Sequence, residues 1–599
     1  MQWLLAQQDT VKIPAVQIIS AKITKSVYPV DFSGGRVFLS AVRPDFYLRD
    51  YDGEMSFLSV RGFKSSHTRV MLWNVPLLPS LSGSTDFTLL PYSLFDALKV
   101  QTSYSSVFST AGGLGSTVDF YTSPQQGNFF TWQMNFSSLR GLASVVKYSL
   151  DTGHTRVIFR SLLEYSLNNY RYIDRFIPGH PLRRRQNAFL GKKAFMLSLQ
   201  HNLSADLRME INVLNSDVFR NFPPPVSYSG TPRIEAQPYS FSFFSCSLRG
   251  KNDFFSYDFT YARQNDFSAY TIFTSDTLPQ KILDNSSSAS SDYFSLILHK
   301  SVFAVKTVVE WQRFDFKEDI PLASGFNVRR FNKDVVFSIG PLRYGKFVLS
   351  TNHRMEAVDS LAYYLFDYSL EYKGRINVML DAGRNVNIPS LNDLYWRPGG
   401  NPYLKPEIAS QIEVKGYTNI MPSRFCKNIY LIAGGHYARV KNWIVWKPAQ
   451  YHYWTAQNIS EVSNWGLNVN AKFYFYSDFF RKFSLSYAFA RVSDSTGIQI
   501  IYVPQHKLTG DFAFDMMGYD LSLSFLAESR RLILMHNPDF FLHPYWIWNL
   551  KIAKRWNYRK FDLSVYVNIN NLFDKYYEFV VNRPAPLRYI TISVKFNIK

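Results

Sequence analysis

The sequence predicts an all-β chain: a large antiparallel transmembrane β-barrel with a small α+β N-terminal domain in its lumen. Three observations predict it. Most of the chain alternates apolar and polar residues with a period of two, in runs of the ~9–11 residues that a tilted spanning strand needs. Aromatic residues make up 17% of the chain, including 39 Tyr and 51 Phe, as girdles at two membrane–water interfaces require. Ahead of the alternating region lies a short stretch, Ser56–Thr122, in which β-type runs are punctuated by Gly, Ser and Pro.

Composition bounds the reading. A soluble chain of 599 residues usually splits into several domains, and one large barrel is an exception to that rule. Mean hydropathy is −0.16, which argues against a helical membrane protein but not against a barrel, whose lumen-facing residues are polar. No apolar run reaches the ~18 residues of a transmembrane helix. The net charge is +20, yet the basic residues are scattered among strand-like segments and form no nucleic-acid-binding motif. Anionic lipid headgroups are the plainer partner. Cys246 and Cys426 lie far apart and form neither a metal motif nor a disulfide framework. No Ser-His-Asp order, nucleophile elbow, phosphate loop or H-E-x-x-H motif is present, so no enzyme, cofactor or metal site is expected. His180, His436, His452, His536 and His543 read as loop or rim residues.

In chain order, Met1–Gln8 resembles the tail of a secretory signal peptide, with cleavage near Ala6 or Gln7. Val70–Leu72, Leu98–Val100 and Thr117–Tyr121 read as strands, and Leu89–Leu98, with Pro91 near its start, as one short helix. Alternation starts after the turn Pro124–Gly127. Phe130, Trp132, Met134 and Phe136 oppose Thr131, Gln133, Asn135 and Ser137. Trp465, Leu467 and Val469 oppose Asn468 and Asn470. Leu563, Val565, Ile592 and Val594 are expected to face acyl chains, with Val565 at mid-depth and Ser564 in the lumen. The loop Asn168–Lys193 carries Arg183-Arg184-Arg185, suited to lipopolysaccharide phosphates or to an anionic ligand. A soluble sheet this long would need a second layer over its apolar face, whereas closure in lipid needs none and leaves no edge.

Several segments resemble the TonB-dependent outer-membrane receptor family. Val60-Arg61-Gly62, Arg69–Pro76, Ser82–Asp86 and Tyr104–Asp119 resemble its plug, with Trp73-Asn74-Val75-Pro76 where a DG-V turn is typical. Asn387–Tyr395 followed by Gly399–Glu407 resembles its "P-S-x-x-D-L-Y … G-N-P-x-L-K-P-E" segment. Asn568–Asp574 with Lys575-Tyr576-Tyr577 and Arg588 resembles its C-terminal ending, with Leu587 in place of a Gly. Within the family, Ser66-His67 and Leu78–Phe87 look most like the cobalamin receptor.

The resemblance implies an organisation: 1–22 as signal remnant and linker, 23–123 as plug, and 124–599 as a barrel of about 22 strands. It implies TonB-dependent transport of a scarce bulky ligand, a corrinoid such as cobalamin or a ferric siderophore, across a Gram-negative outer membrane. It implies that Asp9, Thr10, Val11, Lys12 and Ile13 add a strand to the periplasmic partner TonB, for which main-chain hydrogen bonds set only loose sequence demands. It implies that Ser80, Leu81, Ser82, Gly83 and Ser84 form a plug loop that touches the ligand, where small side chains allow close approach. The expected surroundings are a bilayer and lipopolysaccharide, and the expected state is a monomer, with a surface lipoprotein left open as a further partner. A surface binding receptor, or a porin-like barrel without energised transport, is the alternative.

Overall fold

The computed structural model describes residues 25–29, 45–50, 55–78, 81–102, 113–122, 127–226, 233–274, 281–318, 325–397, 399–420, 424–448, 454–535 and 537–598. Twenty-two strands close into one barrel, each antiparallel to its neighbours. The last strand, Tyr589–Ile598, pairs with the first, Phe129–Ser137, from Thr591 opposite Ser137 to Ile598 opposite Phe130. Closure satisfies every ladder and leaves no edge to lipid.

The period-two reading gives the right register. Trp465, Leu467 and Val469 are 40–50% exposed on the outer surface, and so are Ile590 and Ile592, whereas Ser564, Asn568 and Ser593 are buried in the lumen. Depth differs from expectation at one point. Val565 stands opposite Lys554, while Val567 lies between Ile552 and Ile592, so the centre of the apolar band is at Val567.

Strand length is the larger departure. Several strands run far past the expected span, among them Cys426–Pro448 and Trp454–Phe475. The outward face explains why. Tyr261, Phe294, Trp311 and Phe331 are in ring contact across four consecutive strands at centroid distances of 4.8, 5.8 and 4.9 Å. Beyond Phe294, the outward positions on Lys281–Lys300 become Ser290, Ser288 and Ser286. The aromatic row is the rim of the hydrocarbon band, and the strands continue above it in a polar medium. Connections are short at one end of the barrel, as at 152–154, 301–302 and 517–518, and long at the other, as at 167–189, 388–406 and 571–588. The long-loop end is termed the mouth. The basic loop ends about four residues earlier than the expected Lys193, because Leu190 already pairs with Ser166 and Arg220.

Inside the barrel lies a five-stranded sheet. Its order is Lys25–Pro29, Ala97–Thr102, Ser116–Tyr121, Thr68–Leu72 and Val75–Pro76, and only the pairing of Thr68–Leu72 with Ser116–Tyr121 is parallel. A separate hairpin pairs Phe46–Asp50 with Ser56–Val60. Trp73 and Asn74 both adopt positive φ, 50° and 67°, which makes the tight reversal between Thr68–Leu72 and Val75–Pro76. The expected helix at Leu89–Leu98 is a single 3-10 turn, Tyr92–Leu94. The reason is competition: Ala97 and Leu98 pair with Tyr121 and Phe120, which leaves five residues after Pro91, enough for one turn.

Val70, Leu72, Leu98, Val100, Val118 and Phe120 form the core of this inner domain, and the same apolar cluster includes Leu162, Met196, Leu214 and Phe243 of the barrel wall. The inner domain is thus seated against one side of the barrel by apolar packing. At about 25 cal/mol per Å² that burial is its main attraction to the wall. His436, expected at a rim, is buried in the lumen on the strand Cys426–Pro448, with its Nε2 3.4 Å from the Asn464 side-chain oxygen.

Candidate functional site

Three arrangements converge on the upper part of the lumen: a loop of the inner domain, an aromatic shelf at the mouth, and a set of buried charges that fastens the inner domain to the wall.

The loop comes first. Its two stems are clamped by barrel side chains. Gln264 accepts from the Leu78 amide at 2.8 Å and donates to the Pro76 carbonyl at 2.7 Å. At the other stem, Asp86 accepts from the Ser56 and Thr88 amides, each at 2.9 Å, and pairs with Arg220 at 2.7 Å. Between the stems, Leu81 packs beside Leu78, Ala289, Phe314, Phe326 and Leu391, and its carbonyl accepts from the Asn392 amide at 2.8 Å. Gly83 has φ +73°, and a Cβ there would lie 2.9 Å from the Ser390 Cβ. Close approach and backbone conformation both demand glycine at this position. Ser84 is buried, with its hydroxyl 3.0 Å from that of Ser65. Ser82 alone turns an exposed side chain outward, and Ser80 lies outside the described residues.

The mouth helix that receives this loop is Leu391–Tyr395. Ser390 caps it: the Ser390 hydroxyl accepts from the Asp393 amide, and the Asp393 carboxylate accepts from the Ser390 amide, both at 3.1 Å. The Trp446 indole N–H donates to the same carboxylate at 2.8 Å. The S-x-x-D spacing of a capping box was available in the sequence and marks this helix. Around it stand Phe316, Phe326, Tyr395 and Trp396. Phe316 stacks on Phe326 at 5.1 Å, Phe326 meets Tyr395 at 5.3 Å, and Phe316 lies 6.5 Å from Trp396. Tyr395 and Trp396 are 38% and 43% exposed. An exposed aromatic shelf beside a small-residue loop suits a bulky ligand with flat apolar faces. Ser82→Trp is expected to abolish ligand binding at the mouth while leaving barrel assembly and heat stability unchanged. Titration calorimetry and the heat-modifiable mobility of the barrel check it, and unchanged affinity would remove the loop from the site.

The charges lie deeper. Arg61, at φ 57° in the turn before Gly62, bonds Glu413 of the wall and Asp45 at 3.3 Å. Lys415 approaches Glu413 at 2.9 Å. Next to this group, Glu407 receives Lys64 at 2.7 Å, His67 at 2.8 Å, Asn387 at 2.8 Å and the Ile444 amide at 2.9 Å. An ionised carboxylate only accepts, so the His67 proton sits on Nε2. Burial, with Lys64 adding to it, holds the His67 imidazole below its ordinary pKa of 6.5 despite Glu407, so the ring is neutral at pH 7. On the opposite wall, Asp96 meets Arg160 at 2.6 Å and Lys147 at 3.1 Å. Burial would raise the Asp96 carboxyl, but these two cations hold it below the ordinary range. Of the Ser66-His67 pair that resembles the cobalamin receptor, His67 is a buried fastening residue, while Ser66 lines a small cavity beside Gly83 and Ser390. Asp9–Ile13 lie outside the described residues.

A family model described as TonB dependent receptor-like, beta-barrel, matches residues 131–572. The chain belongs to the TonB-dependent receptor family. This receptor is 28% identical over 99 residues to the vitamin B12 transporter BtuB of Vibrio vulnificus (strain YJ016), a match that spans 16% of this chain and 15% of that protein. Its fold is similar to that of the copper transporter OprC, with a TM-score of 0.80 at 13% identity over 97% of this chain and 99% of that one. The siderophore receptor PirA from Acinetobacter baumannii gives 0.76 at 12% identity over 96% and 98%. The FrpB iron transporter from Neisseria meningitidis gives 0.75 at 11% identity over 96% and 99%. At these identities the likeness is one of fold. A 22-strand barrel of this family is an outer-membrane protein, and the family is one of receptors and transporters rather than enzymes.

Proposed function

We propose that this receptor imports a scarce, bulky corrinoid or ferric siderophore through the outer membrane with energy delivered by TonB. The observation that carries the reading is the plug itself. A domain that fills the lumen and is fastened by Arg61, His67, Asp86 and Asp96 to several sides of the wall blocks passive entry of a large solute. Force that rearranges the plug must break these buried polar fastenings and also part its apolar contact with Leu162, Met196, Leu214 and Phe243. The stretch of likeness to a vitamin B12 transporter supports the corrinoid, and the aromatic shelf suits either ligand.

In this reading residues 1–22 are the lead segment, 23–123 the plug and 124–599 the barrel, acting as a monomer among lipid and lipopolysaccharide. Ligand held against Leu81–Ser84 biases the plug toward release of the lead segment. Asp9–Ile13 then pair with an edge strand of TonB, and force on that strand rearranges the plug. Deleting residues 9–15 is expected to reduce uptake to the level of a strain without TonB while surface binding of ligand is kept. Uptake of radiolabelled cobalamin and of a ferric siderophore panel reads this directly. Full uptake by the deleted chain would sink the energised reading, and binding without uptake in the intact chain would favour a surface receptor.

A further inference from the structure

Just above the rim of the hydrocarbon band the outer wall carries charge in a definite pattern. The rim aromatics Tyr261, Phe294, Trp311 and Phe331 stand on the strands Ser256–Thr274, Lys281–Lys300, Phe303–Glu318 and Phe326–Tyr344. The next outward residues toward the mouth, about 7 Å along each strand, are Arg263, Asp292, Arg313 and Arg329. Two of the four satisfy each other. Arg263 lies 3.6 Å from Asp292, which also accepts from the Tyr261 hydroxyl at 2.9 Å.

The other two do not. Arg313 and Arg329 stand directly opposite each other on paired strands, where like charges repel. Arg313 donates its Nε–H to Asp315 at 3.0 Å, and Asp315 is shared with the Asn327 side-chain amide. Among the described residues no carboxylate comes within ion-pair distance of Arg329. A third cation joins them from below: the Lys333 ammonium turns up to within 4.5 Å of the centre of the Phe331 ring. Asp359, in the turn beside this patch, accepts from the Phe331 amide at 2.9 Å. Three cations thus meet at one part of the rim, and Asp315 and Asp359 do not balance them. Along the same row of paired residues Arg313 faces Ser290, Ser290 faces Asn265 and Asn265 faces Ser242, a belt of small polar groups.

We propose that Arg313 and Arg329 hold a phosphate of lipid A, the phosphorylated glycolipid base of lipopolysaccharide. A phosphate between the two guanidinium forks removes their repulsion and is bound by paired N–H donors. The layers of the wall match the layers of such a lipid. Its acyl chains descend past Trp311 and Phe331, whose rings stack at 4.9 Å, its phosphate meets the arginines, and its sugar hydroxyls reach Ser290 and Asn265. The loop that the sequence offered for lipopolysaccharide phosphates keeps its arginines for itself. Arg183 pairs with Asp174 at 3.3 Å, Arg184 donates to the Asn169 carbonyl and side-chain oxygen at 3.2 and 3.1 Å, and Arg185 is buried, donating to the Pro223 carbonyl at 3.4 Å. The lipid site is therefore on the outside of the barrel wall, and its occupant is a resident of the outer leaflet rather than cargo.

The test is native mass spectrometry of purified, delipidated full-length receptor in detergent, titrated with lipid A, enzymatically dephosphorylated lipid A, phosphatidylglycerol and inorganic phosphate. Lipid A is expected to bind at least fivefold more tightly than phosphatidylglycerol, which has a phosphate but no sugar for the Ser290–Asn265 belt. Its affinity is expected to fall as salt rises and to drop at least fivefold on dephosphorylation. R313Q and R329Q are each expected to weaken lipid A binding at least fivefold. K346Q removes the same charge from the turn 345–346 at the opposite rim and is expected to leave it unchanged. Heat-modifiable mobility verifies a folded barrel in each variant. Unchanged lipid A affinity in R313Q and R329Q, or an equal loss in K346Q, overturns the site. Equal binding of phosphatidylglycerol or of dephosphorylated lipid A, binding of inorganic phosphate alone, or no binding of any probe overturns it as well.

Discussion

Arg61→Ala is expected to loosen the plug by about 3–5 kcal/mol, the usual cost of removing one partner from a buried ion pair. Arg61 is 1% exposed, and its partners Asp45 and Glu413 are 1% and 3% exposed. Alanine would leave Asp45 without its guanidinium and Glu413 with Lys415 and Thr102. The loss is not spread through the barrel, whose ladders are intact without it. It falls on the opening of the plug, a sub-global event with its own free energy. Amide exchange in peptides covering Ser56–Val60 and Thr68–Leu72 should therefore speed up by roughly two to four orders of magnitude, while barrel strands such as Tyr589–Ile598 keep their protection. Unchanged exchange in the plug peptides would mean that the pair contributes nothing to its seating. Replacing Arg61 and Glu413 together by methionines takes the guanidinium from Asp45 and the carboxylate from Lys415, so the double variant is expected to keep the loss rather than cancel it.

That pair shows where the sequence falls silent. Arg61 and Glu413 are 352 residues apart, and no local pattern joins them. The same holds for Asp86 with Arg220 and for His67 with Glu407, separated by 134 and 340 residues. Each was visible only as an ordinary charged residue on an alternating strand or in a turn. What alternation does report is which face a residue takes, because one face meets lipid and the other meets water and the plug. Trp465 and Leu467 outward with Asn464 and Gly466 inward follow from that rule alone. Strand length does not follow from it, since the outward residues turn polar above the rim and the alternation loses contrast there, as at Ser286–Ser290. The number of strands came from likeness to a family, not from periodicity. Of the candidate site, Leu81–Ser84 is legible as a small-residue turn between apolar runs, whereas Gln264 and Arg220, which clamp its stems, belong to strands whose meeting with the plug is a property of the closed fold.

Val567→Arg is expected to cost about 2–4 kcal/mol of barrel folding free energy, the range for a cation at the bilayer midplane. Val567 stands between Ile552 on one neighbouring strand and Ile592 on the other, with Leu550 opposite Ile569 one lipid-facing step away. Water is far on both sides, so the guanidinium must snorkel past two layers of aliphatic side chains to reach it. At Val565 the same substitution should cost less. Lys554 lies directly opposite, its ammonium placed 4.3 Å from the centre of the Tyr519 ring and 3.3 Å from the Met517 carbonyl in the turn 517–518. A cation already reaches the interface at that level, and the penalty falls toward the ~0–1 kcal/mol seen near interfaces. Ser564→Arg points into the lumen beside Arg555 and Lys595, where the penalty is charge crowding in water rather than desolvation in lipid. Urea titrations of folding into lipid vesicles should therefore rank the three as Val567, then Val565, then Ser564. Equal losses for Val567 and Ser564 would put the strand Phe561–Asn570 one residue out of register, with its apolar side turned to the plug.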